Sequence, residues 1–166
     1  MSEQMNIKSS ISESMKRYFG KDSRRINHAL KVLEYSEQIL KSEKADGDVV
    51  VAAAILHDIG IPSAENKYNS AGGKYQEIEG PPVAKKIMDE LEIHQEISEH
   101  VCRIIANHHS GKNIDTAEFR IIWDADLLVN IPDEMDLTDK DSIGKLVKNV
   151  FRTETGKKIA KDKFLN

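Results

Sequence analysis

The sequence predicts an all-α fold, a single-domain bundle of roughly seven helices. Apolar residues recur at the three- and four-residue spacings of a buried helix face, and the alternation of a half-buried strand is nearly absent. Glycine and proline punctuate these periodic segments. The 166 residues suffice for one hydrophobic core and are short for two.

Taken in order, a first helix is expected over Ile7 to Tyr18, stopping at Gly20. Asp22 or Ser23 caps a long second helix, about Arg24 to Glu43. Asp48 caps a third, which ends at Gly60-Ile61-Pro62 because Gly and Pro together stop a helix. The stretch from Pro62 to Pro82, PSAENKYNSAGGKYQEIEGPP, reads as a long loop, and compact domains seldom carry one without a function. Pro81 or Pro82 opens a fourth helix to about Leu91, since proline suits the first helical position. A fifth covers Gln95 to His109 and ends at Gly111, and a sixth covers Ala117 to Val129, before Pro132. Thr138 or Asp139 caps a seventh, and the tail from Thr153 can form an eighth.

Composition narrows the function classes. Charged residues are 31% and apolar ones 39%, the balance of an ordinary soluble globular chain. The formal net charge is -4 with both signs interspersed, so no basic footprint for a nucleic acid polymer is visible. The start, MSEQMNIKSS, has no apolar signal-peptide core, and the longest apolar run falls far below the ~18 residues of a membrane span. With a single cysteine, Cys102, no internal disulfide is available; the expectation is a cytoplasmic protein with no membrane partner, and Cys102 packing as a small apolar side chain.

The chemistry concentrates where VVVAAAIL runs into His57 and Asp58. A helix apolar on every face belongs in the middle of a bundle. A carboxylate there needs a cation or a dense set of donors, and at a helix C-terminus it also opposes the dipole. A metal ion answers both demands. His28 shares the core-facing phase of Val32, Tyr35 and Ile39 on the second helix. In FRIIWDADLLVNI, Asp126 shares the stripe of Phe119, Ile122, Trp123 and Val129, whereas Asp124 lies with Arg120; Asp126 is therefore expected inward, and Asp124 behind the ligands or in solvent. His28, His57, Asp58 and Asp126 form a mixed N/O set from three helices, suited to Mn, Fe, Co, Ni or Zn. Four protein ligands leave positions for water and substrate, the mark of a catalytic site.

With HALKV at His28, LHDIG at His57-Asp58 and WDADLL at Asp126, the chain resembles the HD superfamily of metal-dependent phosphohydrolases. The likeness spans about Arg24 to Asn130, and EGPPVAKKIMDELEI, IIANHHSG and TETGKKIA also look like segments of related members. The resemblance implies one HD domain over residues 1–166, with a metal-site core at about 22–131 and a helical tail at 138–166. It implies a divalent transition metal held by His28, His57, Asp58 and Asp126, with His57 and Asp58 catalytic. It implies hydrolysis of a phosphomonoester or phosphoanhydride, of a nucleotide or related small metabolite.

Departures from the pattern refine this. Ile61 stands where many relatives carry a lysine after HDIG, and no GYP element is present. The region EIEGPP lacks the histidine that some two-metal members place there, so one ion per chain is expected. His108 lies on the stripe of Ile97, Val101, Ile104 and Ile105; with His109 it is a candidate for a second metal or a phosphate contact. His94 and His100 read as surface residues. Arg24, Arg25, Lys67 and Lys74 are candidate phosphate contacts, and the 64–79 loop a lid whose Glu65 or Glu77 donates a proton. The alternatives are a di-iron oxygenase of the same fold and a non-catalytic nucleotide-sensing module.

Overall fold

The computed structural model describes residues 6–166; residues 1–5, where the polar N-terminal stretch begins, lie outside them. Among the described residues the chain is helical throughout, with no strand. The elements are α1 (Ile7–Phe19), α2 (Ser23–Leu40), α3 (Gly47–Leu56), α4 (Ile61–Tyr68), α5 (Gly73–Glu90), α6 (Gln95–Ile105), α7 (Ala117–Glu134), α8 (Lys140–Asn149) and α9 (Glu154–Ala160), and a terminal π turn at Lys161–Leu165.

The caps follow local chemistry. Asp22, Asp139 and Thr153 accept from backbone amides in the first turns of α2, α8 and α9, as the sequence suggests. For α3 the cap is Asp46, not Asp48: its carboxylate accepts from the amides of Asp48 and Val49 at 3.0 and 3.4 Å. Asp48 instead sits in the first turn, where the dipole favours an acid.

The largest departure is the expected 62–82 loop. It folds as α4 and the first half of α5. Pro62 falls in the first turn of α4, where its missing N–H costs nothing. Asn69 closes α4 in the left-handed region at φ 53°, and its N–H reaches Glu65 O. Pro81 and Pro82 lie inside α5 instead of opening it. Likewise Pro132 lies inside α7, which continues past Val129 to Glu134. An internal proline removes one helical hydrogen bond and crowds the preceding turn; here the packing of α5 and α7 against their neighbours outweighs that local penalty. α6 stops at Ile105, four residues early, and tight turns carry the chain to Gly111 at φ +64°.

α3 occupies the centre, packed on α1, α2, α6 and α7. Val50, Ala52, Ala53, Ala54, Ile55 and Leu56 are fully buried, which explains a helix without a polar face. The α3–α4 stretch Gly47–Tyr68 has the length and apolarity to cross a membrane, yet 67% of its apolar 18-residue window is buried inside the bundle. Its apolarity is that of the core.

Candidate metal centre

α3 ends at Leu56, and residues 57–60 form a tight turn before α4. The turn is closed by Ile59 N–H to Leu56 O and Ile61 N–H to Asp58 O, at 3.0 and 3.1 Å. This turn throws Asp58 out of the buried helix toward the end of the bundle. Gly60 is required there: a Cβ would lie 2.5 Å from Gly80 N and 2.6 Å from Gly80 Cα. The close crossing of α5 over the turn brings Gln76, one helical turn before Gly80, beside Asp58.

Four side chains converge at this point. His28 Nε2 lies 3.1 Å from Asp126 Oδ1, 3.3 Å from Asp58 Oδ2 and 3.3 Å from His57 Nε2. His57 Nε2 lies 3.4 Å from Asp58 Oδ2 and 3.5 Å from Asp126 Oδ1. His57 Nδ1–H donates to Ala54 O at 2.7 Å, which fixes the tautomer and leaves the Nε2 lone pair facing the cluster. Imidazole nitrogens and carboxylate oxygens therefore crowd one point. Separations of 3.1–3.5 Å are the edges of a coordination polyhedron with metal–ligand bonds of about 2.1 Å. His28, His57 and Asp58 offer mutually close ligand atoms, with Asp126 Oδ1 against both imidazoles, and this mixed N/O set fits a divalent transition metal.

The electrostatics express the same demand for a cation. Burial opposes charge on His57, but Asp58 and Asp126 outweigh it and raise its pKa well above 6.5. Burial likewise works against ionised Asp58 and Asp126, yet the imidazoles hold both well below the usual carboxylate range.

His108 stands on the other side of Asp58. Its Nδ1–H donates to Ile105 O at 2.7 Å, and its Nε2 faces Asp58 Oδ1 and Gln76 Oε1, each at 3.3 Å. His109 Nε2 reaches Gln76 Oε1 at 3.0 Å. Gln76 Nε2 donates to Ala71 O at 2.7 Å, so its oxygen is held inward. Asp58, His108 and His109 make a second group of donors. The two oxygens of Asp58 thus face two sets of nitrogen ligands.

The centre lies in a cleft of about 640 Å³ lined by Arg24, Arg25, His28, Asp58, Gln76, His109 and Asp126 among others. Arg25 is tied to Asp22 and Glu65 at 3.1 and 2.8 Å, and Arg24 is exposed at the rim. Lys67 and Lys74 do not line the cleft. Lys67 pairs with Glu79 at 3.0 Å, and the Lys74 ammonium sits 5.1 Å from the Tyr75 ring centroid. Glu65 is held by Arg25, and Glu77 accepts from the amides of His109 and Ser110 and from the Ser110 hydroxyl. Both acids anchor the structure around the cleft. Asp124 is neither among the ligands nor in solvent: it is fully buried, 28 residues from its partner Arg152 in sequence. It accepts from Arg152 N–H, Thr153 N–H and Thr153 O–H at 2.8, 2.7 and 2.6 Å. His94 is exposed, but His100 is three-quarters covered and meets the Thr116 hydroxyl at 2.8 Å. Gln76 has no signal in the sequence beyond its distance from Gly80.

The model of the HD domain matches residues 25–131, well over half of the chain. The chain belongs to the HD domain family. The matched region of this HD domain runs from α2 to α7 and so contains all four converging donors. A crystal structure of a predicted HD superfamily hydrolase from an uncultured Thermotogales bacterium has the same fold, with a TM-score of 0.70 at 24% identity. The alignment covers 95% of this HD chain and 84% of that one. Among curated proteins, none matches the chain.

Proposed function

We propose that this HD domain is a metal-dependent phosphohydrolase that cleaves a phosphomonoester or phosphoanhydride of a nucleotide or related small metabolite. The observation that carries this is the convergence of His28, His57, Asp58 and Asp126 at the floor of an open cleft with arginines at its rim. His28, His57, Asp58 and Asp126 would hold the metal. When bound, the ion supplies a hydroxide nucleophile at neutral pH and neutralises phosphoryl charge. The chain's own residues do the rest. Ala54 O fixes the His57 ring, Asp22 and Glu65 fix the Arg25 guanidinium, and that guanidinium and Arg24 attract the phosphate.

The expectation of one ion rests on the missing histidine near Gly80. The position of Gln76 supports a second: its amide oxygen, Asp58 Oδ1, His108 Nε2 and His109 Nε2 offer a donor set of the same spacing, with Asp58 shared between the two. A paired centre also suits the di-iron oxygenase alternative, which predicts oxygen consumption by the iron-loaded protein.

The test is phosphate release from a panel of phosphate esters and nucleotides with Mn, Fe, Co, Ni, Mg and Zn, with metal content measured alongside. Wild type should turn over with two ions per chain, Gln76→Ala should keep one, and Asp58→Ala should lose turnover. Oxygen uptake with iron and no phosphate release under any metal would overturn the hydrolase reading.

A further inference from the structure

Four residues of α5 address the turn that follows α6. Gly73, Gln76, Glu77 and Gly80 stand at i, i+3, i+4 and i+7 and so share one helix face. Gly73 lies against the His109 ring, where a Cβ would come within 2.7 Å of His109 Cγ. Gln76 Oε1 meets His108 Nε2 and His109 Nε2 at 3.3 and 3.0 Å. At the far end of the face, a Cβ on Gly80 would come within 2.6 Å of Ile105 Cγ2.

Glu77 is the member of this face that holds the turn by its backbone. α6 ends at Ile105. Beyond it the turn closes on itself through Asn107 N–H to Ile104 O, His108 N–H to Ile105 O and Gly111 N–H to Asn107 O, at 3.1, 3.4 and 2.8 Å. The amides of His109 and Ser110 donate instead to Glu77 Oε2, at 3.1 and 2.8 Å. The Ser110 hydroxyl donates to the same oxygen at 2.9 Å. Hydrogen bonds to an ionised oxygen are stronger than those to a neutral acceptor. The tie to the His109 amide crosses 32 residues of sequence and lands beside Gln76. It therefore fixes the backbone of the histidine turn against the residue whose amide oxygen both imidazoles face. Glu77 itself does not line the cleft.

We infer that Glu77 is a positioning residue for the second donor group: through the backbone of the turn it sets His108 and His109 against Gln76 and Asp58, and an ion held there depends on it. The inference deepens the reading of a second ion and rests on it for the ligand set.

The experiment uses the full chain. Hydrogen exchange of the His109 and Ser110 amides is followed in the metal-free protein. Cobalt(II) binding is then followed by titration, with the visible spectrum of the bound ions. Wild type should bind two cobalt ions. Glu77→Ala should speed exchange at both amides and weaken the second ion about ten- to a hundredfold, with the first unchanged. Glu77→Gln keeps an acceptor oxygen at the same reach and should retain both ions. Glu77→Asp keeps the charge but stops one methylene short of the turn; it should weaken the second ion in the same direction if Glu77→Ala fails to fold. Two ions bound by the folded variant with wild-type affinity and spectrum would overturn the positioning role and leave the second ion standing. Glu77→Gln holding both ions but releasing no phosphate, where wild type does, would make the carboxyl a proton donor and overturn it as well. One ion in wild type would overturn the second ion and this inference together. A second ion weakened in Glu77→Ala, with no phosphate released by wild type under any metal, would sustain the positioning role and overturn the hydrolase.

Discussion

Two aspartates two residues apart do opposite work. Asp126 faces His28 and His57 in the candidate metal centre, and Asp124 ties the segment before α9 to α7 through three hydrogen bonds. Burial raises the Asp124 pKa, opposed by the bonds from Thr153 and Arg152. Asp124→Ala strands two buried amides and a hydroxyl, and stability should fall by about 3 kcal/mol, read from a denaturant melt. Metal content per folded chain should be unchanged; its loss would mean that Asp124 belongs to the centre. The pH dependence of the metal-free centre follows from the shifted groups. The raised His57 pKa gives stability that is complete below 6.5 and lost as pH rises through its higher folded value. The lowered Asp58 and Asp126 values give stability present above 3.8 and lost as pH falls through their folded values. Metal must displace the His57 proton, so metal affinity measured by titration calorimetry should increase with pH above 6.5. An affinity flat across that range would contradict the convergence of His57 with both carboxylates.

At the scale of elements, the crossing of α5 over the 57–60 turn sets the centre's width. Gly60 and Gly80 allow backbone against backbone, and Ile105 closes the far side, with its Cγ2 2.6 Å from where a Gly80 Cβ would be. Gly60→Ala forces the two segments apart. It should cost about 1–3 kcal/mol, as overpacking does. It should also cut activity by more than that loss of stability explains, because Gln76 and Asp58 ride on the separated segments. A variant with lowered Tm and full kcat at a temperature where it is folded would show that the crossing is only structural. The same crossing explains why a segment dense in Gly and Pro is helical. Helix-breaking residues predict a loop when read locally, but α4 and α5 each bury residues that hold them in place, among them Ala64, Ala84 and Met88. The α9 turn repeats the device: a Cβ on Gly156 would overlap Asp124, so glycine there lets the helix approach that carboxylate.

For the whole molecule, α3 is both the middle of the core and the base of the centre. A metal held by these four donors would be coupled to folding, because α2, the turn after α3 and α7 must pack before they meet. A metal that binds only the folded chain should stabilise it by about 2.7 kcal/mol at a hundred times its Kd. Thermal melts with and without a chelator should show this rise in wild type and lose it in Asp126→Ala. An equal chelator effect in both would place the stabilising metal elsewhere.

Much of this was legible from the chain by itself. Periodicity determined the helical class, because burial of one face imposes a 3.6-residue repeat whatever the partner. The apolar run into His57 and Asp58 pointed to a demand for a cation or a dense set of donors at Asp58, because burial of charge is costly in any fold. The inward phase of His28, Asp126 and His108 followed from the neighbours on their own helices. What lay between helices was not legible. The helicity of residues 62–82, the reach of Gln76 to His108 and His109, and the partners of Asp124 depend on residues far apart in sequence. Only the tertiary structure decided these, because spacing along a helix fixes which way a side chain points but not what it meets.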